Sequence, residues 1–376
     1  MKILKYFYQD TDKPGWKFSE LEFSNINLLV GDTATGKTRF MNTFYNLCLF
    51  ITQKASTVGE WKVTFEHQSF TYTLEIKSIP GDKPNKPAKI VKDCLWRHDK
   101  SQNEPLFKRI GDRLMFDGRK TPTLSSEIPG ISLFKEEPSI NPVYDAFGLY
   151  LRRTFGVDYP IDVLLLSGIL PQHIIKESLP EDQLLDQIFH LHAPLNINLY
   201  LLKKHCYKTY KELTTKFRKI FPFISKMQIT DISKITNITL PGKVPVFCVQ
   251  EVNSDSWAPQ VELSSGMQKV LLILTDMYIL PSGSVYLLDE YENSLGISTI
   301  DFFPEVVYSM EKEIQFLISS HHPYLINEIP VKNWFVFHRD GLNVEVRYGK
   351  VLTEKYGKSK QQAFLQLIND PFYSRK

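Results

Sequence analysis

The chain has 376 residues, 43% of them apolar, which is enough to bury a sizeable core and to form two or three domains. Its 45 basic and 42 acidic side chains leave a formal net charge of +3, so no strong overall field selects a nucleic acid or an anionic membrane. Four widely separated cysteines argue against a disulfide framework and a paired-cysteine metal site. Because the sequence shows neither an apolar leader nor an apolar run of spanning length, we expect a cytoplasmic protein with no membrane partner.

The N-terminal third predicts a strand, a glycine loop and a helix, followed by a second group of strands. Residues 3–9 and 21–30 have the composition of strands, and residues 40–51 that of the following helix. Short alternating runs between residues 61 and 97 predict an antiparallel meander. Residues 78–89 are rich in Pro, Gly and Lys and predict an exposed loop.

The middle of the chain, about residues 140–226, is largely helical in pattern, and strands return from residue 227. The apolar stripe of its clearest helix comprises Leu199, Leu202, Cys206, Tyr210, Leu213, Phe217 and Ile220. The residues roughly opposite this stripe are basic: Lys204, Lys208, Lys211 and Arg218. Residues 285–288 and 316–318 are short apolar runs that predict buried parallel strands.

A glycine-rich segment lies between the strand at 21–30 and the helix at 40–51. It reads Gly31-Asp32-Thr33-Ala34-Thr35-Gly36-Lys37-Thr38, with two glycines separated by four residues and followed by Lys and Thr. In this setting the loop amides and the helix N-terminus converge on phosphate oxygens. We therefore predict that these eight residues bind nucleotide phosphates, with Lys37 on the β- and γ-phosphates and the Thr38 hydroxyl on magnesium. The alternative is a chance match in a turn, which the placement between strand and helix disfavours.

An acidic pair, Asp289 and Glu290, ends the apolar run at 285–288. In phosphoryl transfer, a first carboxylate in this position holds magnesium, and a second orients the attacking water. Such a pair alone is more often a surface turn, so the prediction depends on the phosphate loop. We predict Thr38 and Asp289 as metal ligands and Glu290 as a catalytic residue.

Two further polar segments follow or precede apolar runs. Residues 316–318 continue into Ser319-Ser320-His321-His322-Pro323, where a neutral imidazole is suited to a hydrogen bond with a γ-phosphate. Residues 263–269 precede an apolar helix at 270–280, which puts Ser264 and Gly266 at a helix N-terminus that faces phosphate. The plain alternatives are a histidine that ends a strand and an ordinary helix cap.

In chain order, these segments resemble the motifs of ABC-type ATPases, particularly the SMC, RecF and OLD-like branch. Residues 31–38 resemble Walker A, and residues 263–269, Leu263-Ser264-Ser265-Gly266-Met267-Gln268-Lys269, resemble the signature motif. Residues 287–290 resemble Walker B, and residues 292–295 lie where the D-loop is found. The family pattern favours His321 over His322 as the switch histidine.

The resemblance implies an α/β P-loop fold of the ABC-ATPase type, with a mixed parallel sheet, an N-terminal antiparallel meander and a helical insert. It implies ATP and Mg²⁺ as cofactors, and Lys37, Glu290 and His321 as catalytic residues. We expect residues 1–140 and 227–376 to form the ATPase head and residues 141–226 the insert. Met267 departs from the signature pattern, which usually has a polar residue there. No glutamine between residues 52 and 250 can be assigned to the Q-loop, and the adenine-stacking residue is unassigned.

The resemblance also implies partners. Two copies would form a head-to-tail dimer or larger homo-oligomer in which Walker A of one faces Ser264 and Gly266 of the other. The amino-acid sequences at residues 289–295 and 318–325 most resemble those of OLD-like ATPases, which implies an anti-phage defence ATPase. The sequence after His321 is too short for a Toprim nuclease domain, so a separately encoded effector nuclease or toxin is expected.

Three alternatives stay open at this point. The first is an ATP-occupancy scaffold with little turnover. The second is a RecF-like DNA-repair ATPase whose phosphate contacts would come from Lys203, Lys204, Lys208, Lys211, Lys216, Arg218 and Lys219, although basic helix faces are usually just solvated. A transporter subunit ranks last because no coupling surface or Q-loop is visible.

Overall fold

The computed structural model describes residues 1–12, 15–83, 86–98, 103–111, 113–154, 179–235, 244–296, 299, 302–310, 312–356 and 360–373. The chain divides into two compact units. The first comprises residues 1–154, 282–292 and 311–376, and the second comprises residues 155–281 and 293–310. The sequence-based boundaries at residues 140 and 226 stay a prediction.

The elements up to residue 154 belong to the first unit: β1 (Lys2–Gln9), β2 (Lys17–Glu22), β3 (Ile26–Val30), α1 (Lys37–Gln53), β4 (Gly59–His67), β5 (Phe70–Ile79), β6 (Lys89–His98), β7 (Asn103–Ile110), β8 (Arg113–Phe116), β9 (Arg119–Thr123), α2 (Gly130–Leu133), α3 (Asn141–Ala146) and β10 (Tyr150–Thr154). Elements of the second unit follow: α4 (Glu181–His190), α5 (Leu195–His205), α6 (Tyr207–Ile220), β11 (Ile224–Asp231), β12 (Pro245–Glu251), β13 (Trp257–Pro259) and α7 (Ser265–Ile279). The remainder is β14 (Val285–Asp289), α8 (Phe302–Ser309, second unit), β15 (Gln315–Ser319), α9 (Pro323–Glu328), β16 (Trp334–Asp340), β17 (Asn343–Tyr348), α10 (Gly349–Tyr356) and α11 (Lys360–Asn369).

The first unit is built on one large mixed sheet. Over the described residues its strand order is β10-β14-β15-β3-β16-β17-β2-β1-β4-β5-β6-β7-β8-β9. Neighbours from β10 to β16 are parallel, and neighbours from β1 to β9 are antiparallel. The predicted meander and the two predicted parallel strands are therefore confirmed.

The burial of β14 and β15 explains their unbroken apolar sequences. Every residue of both strands is buried, as expected for parallel strands with both faces covered. Helix α1 packs its apolar face against the sheet, where the rings of Phe40 and Phe44 meet Tyr6 edge-on at centroid distances of 5.4 and 5.9 Å. This packing holds the first half of α1 against β1.

The predicted strand at 21–30 is wrong in extent, because β2 ends at Glu22 and β3 begins at Ile26. A side chain makes the turn between them. The Asn27 carboxamide oxygen accepts from the Ser24 amide at 2.8 Å, and its NH₂ group donates to the Ser24 carbonyl at 2.7 Å. Asn side chains compete with strand pairing in this way.

The predicted single helix through residues 199–220 is also wrong, since α5 and α6 are separate helices joined at Cys206. The backbone of Cys206 has φ −129° and ψ 57°, outside the helical region. The apolar stripe runs on through this break because its residues in both helices up to Phe217 are buried. The apolar periodicity therefore continues across Cys206, although the helix is interrupted there.

The middle of the chain also contains a strand, β10, which the helical pattern did not predict. It pairs in parallel with β14, and Tyr150 lies opposite Val285. The predicted basic face is confirmed, because Lys204, Lys208, Lys211 and Arg218 are exposed. Over the described part of the chain, no helix combines the length and apolar character needed to cross a bilayer.

Candidate functional site

The predicted phosphate loop leaves the carboxyl end of β3, which lies between β15 and β16 in the sheet. The carboxyl ends of parallel strands meet at one edge, where α/β proteins bind their ligands. Gly31 lets the loop backbone pass close to Thr35 and Phe337. A Cβ atom at this position would lie 2.8 Å from Thr35 Oγ1 and 2.9 Å from the carbonyl oxygen of Phe337. Ala34 and Gly36 have φ of 63° and 100°, so the loop contains two left-handed residues.

Side chains of the loop hold its backbone in place. The Asp32 carboxylate accepts from the Thr33 amide at 2.7 Å, and the Thr35 hydroxyl donates to the Asp32 carbonyl at 2.8 Å. The Lys37 ammonium donates to the carbonyl oxygens of Gly31 and Asp32 at 2.7 and 2.9 Å. The ammonium is thereby folded over the loop, where a phosphate oxygen can replace a carbonyl as its acceptor.

The charge of Lys37 reflects two opposing effects. Burial lowers the pKa of its ammonium, and the carboxylates of Glu292, Asp289, Asp32 and Glu290 oppose that shift. Glu292 contributes the largest of these attractions. The loop therefore contains a half-buried cation close to several acids.

Asp289 lies at the end of β14 and is fully buried. Its Oδ1 accepts from the Thr38 hydroxyl at 3.1 Å and from the Ser319 hydroxyl at 2.5 Å. Its Oδ2 is buried and has no hydrogen-bond partner in the described structure. An orphaned carboxylate oxygen beside a threonine hydroxyl is a donor set that fits Mg²⁺, which prefers oxygen ligands and relies on substrate phosphates for others. The two predicted metal ligands are thus brought together.

Glu290 has φ 52°, a strained conformation for a residue that is not glycine. Its amide donates to Ser319 Oγ at 2.8 Å, so one serine hydroxyl binds both residues of the acidic pair. Strain of this kind costs roughly 1–3 kcal/mol and concentrates at functional sites. Sequence reasoning missed Ser319; its only signal is a polar residue at the end of an apolar strand.

His321 follows β15 and contacts a single carboxylate oxygen twice. Glu292 Oε1 lies 2.9 Å from the His321 amide nitrogen and 3.0 Å from His321 Nδ1. The His321 side chain is 54% exposed, whereas that of Glu292 is 6% exposed. The amide of the neighbouring His322 donates to the Ser320 hydroxyl at 3.1 Å. The choice of His321 as the switch histidine stays a prediction.

The residues of the predicted signature belong to the second unit. Ser264 is the N-cap of α7, and its hydroxyl oxygen accepts from the Met267 amide at 3.3 Å. A Cβ on Gly266 would lie 2.7 Å from the Ser294 carbonyl oxygen, so this glycine has a packing role within the chain itself. Lys269 Nζ donates to the Asn293 carbonyl at 2.6 Å. Met267 is buried, which accounts for an apolar residue at that position.

A tryptophan that sequence reasoning did not assign lies beside the phosphate loop. A Cβ on Gly36 would come within 3.0 Å of the Trp16 ring. The guanidinium groups of Arg39 and Arg339 lie 4.8 and 4.3 Å from the Trp16 ring centroid, and Arg339 also donates to the Ala34 carbonyl at 3.3 Å. Aromatic and guanidinium planes are the groups on which nucleobases stack.

The sheet order and the phosphate loop at the carboxyl end of a central parallel strand define the α/β fold of an ABC-type P-loop ATPase head. The fold is similar to that in "Crystal structure of the SmcHead bound to the C-winged helix domain of ScpA", with a TM-score of 0.52 and 11% identity over 92% of this chain and 97% of that chain. An SMC head domain from Thermotoga maritima gives a TM-score of 0.44 at 11% identity over 93% of this chain and 99% of that one. A Smc head domain from Pyrococcus furiosus, bound to the C-terminal domain of ScpA, gives a TM-score of 0.48 at 12% identity over 95% of this chain and 100% of that one.

At the sequence level, residues 176–327 match the family model described as "AAA domain, putative AbiEii toxin, Type IV TA system". The matched range includes the predicted signature, Walker B and His321, and it lies outside residues 31–38. No curated protein matches the sequence. The fold and this partial match together support an ATPase of the AAA and ABC type, with nucleotide as its ligand.

Proposed function

We propose that the chain binds ATP with Mg²⁺ and hydrolyses it. The observation that carries this proposal is the contact between Thr38 and Asp289, which joins the end of the phosphate loop to the end of β14. The buried, unsatisfied Oδ2 of Asp289 and the Lys37 ammonium lie in the same site. Residues 31–38 are the proposed phosphate cradle.

Each side chain has a separate task in this proposal. Lys37 exchanges its carbonyl acceptors for β- and γ-phosphate oxygens, and Thr38 with Asp289 hold the metal. The Glu290 carboxylate orients a water molecule and takes its proton as the water oxygen bonds to the γ-phosphorus and ADP leaves. Magnesium, when bound, neutralises charge that develops on the phosphate oxygens.

We further propose that two copies enclose the nucleotides, with Ser264 and Gly266 of one copy completing the site of the other. The capped N-terminus of α7 supports this role, because Ser264 is exposed and its hydroxyl proton stays available while its oxygen accepts from Met267. A defence role with a separate effector nuclease or toxin is the biological proposal. The partially matching family is described as a putative toxin of a type IV toxin–antitoxin system, which supports a link with a toxin system.

The test is ATP turnover by the wild-type protein beside Lys37→Ala and Glu290→Gln, with Mg²⁺ or EDTA. We expect Mg²⁺-dependent hydrolysis that both substitutions abolish, while Glu290→Gln still binds ATP and shifts to a dimer in gel filtration. Lys62→Ala and Glu127→Gln are matched controls at exposed positions and should retain turnover. A wild-type protein that neither binds nor hydrolyses ATP would refute the proposal.

The same preparation separates the alternatives. Stable ATP binding without turnover, together with a co-purifying effector, would favour the occupancy scaffold. A DNA-binding role is favoured by the exposed Lys208 and Lys211, whereas Lys219 pairs with Glu305 and Lys216 donates to Ser309. DNA affinity that falls steeply with salt, and falls again in Lys208→Glu, would support that role.

A further inference from the structure

We propose that Glu292 is a positioning residue that holds His321 in one ring orientation and one protonation pattern. This inference rests on the proposed function, because it concerns the same nucleotide site. It begins from the contact of Glu292 Oε1 with both the amide and the Nδ1 atom of His321. Two contacts to one oxygen fix the main chain and the ring together.

The burial of Glu292 makes this contact strong and costly to lose. Its side chain is 6% exposed, and its Oε2 is buried without a hydrogen-bond partner in the described part of the chain. A buried carboxylate with one unsatisfied oxygen is expensive unless nearby charge compensates. Lys37 supplies such a charge, since Glu292 is the carboxylate that most favours the charged form of its ammonium.

Hydrogen-bond chemistry then sets the state of the ring. An ionised carboxylate only accepts, so Nδ1 must carry the proton that it donates to Glu292. In a neutral ring, Nε2 is then only an acceptor and has no proton for a phosphate oxygen. His321 therefore donates to a γ-phosphate from Nε2 only as an imidazolium, with Glu292 and the phosphate on its two sides. This replaces the neutral imidazole expected from sequence.

The consequence is a link between γ-phosphate and the Glu292–His321 pair. A triphosphate offers an acceptor for Nε2–H, whereas ADP leaves that proton without the γ-phosphate acceptor. Loss of the carboxylate should thus weaken the response to the γ-phosphate more than binding of the rest of the nucleotide. Removing a carboxylate that orients a metal-binding histidine costs about 10- to 100-fold in metal affinity or activity, and we expect an effect of the same order here.

The first experiment uses Glu292→Gln and Glu292→Ala beside His321→Ala and the double variant Glu292→Ala/His321→Ala. We expect a kcat about 10- to 100-fold lower in Glu292→Ala, a similar loss in His321→Ala, and no further loss in the double variant. A double variant that loses the product of the two factors would overturn the proposal. Glu127→Gln is the control at an exposed position.

The second experiment does not depend on turnover. ¹⁵N spectra of the His321 ring, assigned by difference from His321→Gln, report which nitrogen carries the proton. We expect Nδ1 protonated without nucleotide and both nitrogens protonated with a non-hydrolysable ATP analogue; a ring protonated only at Nε2 would overturn the proposal. If the ring behaves as expected but the wild type hydrolyses no ATP, the proposed hydrolysis fails and the positioning role stands.

Discussion

The strongest test of the fold is a buried ion pair in the meander. Asp93 on β6 and Arg109 on β7 lie 3.7 Å apart, and both side chains are 0% exposed. Asp93 also accepts from the Gly130 amide at 2.5 Å, and Arg109 donates to the carbonyls of Ser125 and Ile128 at 3.3 and 3.2 Å. The pair therefore holds the segment before α2 against the sheet.

The geometry shows that this pair is poorly satisfied. Asp93 Oδ1 and the Nε and NH1 atoms of Arg109 are buried without a hydrogen-bond partner in the described structure. Removing only Arg109 leaves a buried carboxylate, so we expect Arg109→Met to lower the free energy of unfolding by about 3–5 kcal/mol at pH 8. The double variant Asp93→Leu/Arg109→Met removes both charges, and we expect it to recover most of that loss.

The pH dependence has a definite sign. Burial raises the pKa of Asp93 from 3.8 to about 7, and the Gly130 amide and Arg109 only partly oppose this. Because the folded-state pKa is raised, the contribution of Asp93 to stability is complete below pH 3.8 and is lost as the pH rises through 7. At roughly 1.4 kcal/mol per pKa unit, the stability lost is about 4 kcal/mol. Arg109→Met should accordingly cost less at pH 5, where Asp93 is protonated, than at pH 8.

Urea denaturation followed by tryptophan fluorescence measures these changes, with Lys108→Met as a control on the same strand. If Arg109→Met is as stable as the wild type at pH 8, the argument is wrong. A double variant that loses as much as Arg109→Met alone would also contradict it. A cost of Arg109→Met that is larger at pH 5 than at pH 8 would contradict the sign worked out above.

Three predictions concern the nucleotide site. Asp289→Asn should leave ATP binding detectable but remove its dependence on Mg²⁺, measured by titration calorimetry with and without EDTA; retained Mg²⁺ dependence would exclude Asp289 as a ligand. Ser319→Ala removes the acceptor of the Glu290 amide and one donor to Asp289, so kcat should fall by about 10-fold and the free energy of unfolding by about 1–3 kcal/mol, and an unchanged kcat would show that Ser319 is dispensable for turnover. Trp16→Ala should weaken ATP binding by about 10-fold and binding of inorganic triphosphate hardly at all, whereas equal losses for both would rule out base stacking.

Local patterns in the sequence were sufficient to place the glycine-rich loop between β3 and α1 and the acidic pair at the end of β14. Gly31 is required by its close approach to Thr35 and to the Phe337 carbonyl, and Gly36 is required by its left-handed backbone. Asp289 ends an apolar run because β14 is buried along its whole length and this acid is its last residue. Local sequence patterns also predicted the antiparallel meander and the helix that begins at the loop.

Only the tertiary structure decided which of these elements are neighbours. Ser319 reaches both acids because β15 lies beside β14 in the sheet, and Glu292 meets His321 across 29 residues of sequence. Trp16 adjoins Gly36 only in the folded chain, and β10 is a strand because it pairs with β14. Periodicity records which face of an element is buried, whereas strand order and side-chain contacts depend on packing between distant segments. The sequence therefore identified the chemical groups, and the packing of the sheet determined how they meet.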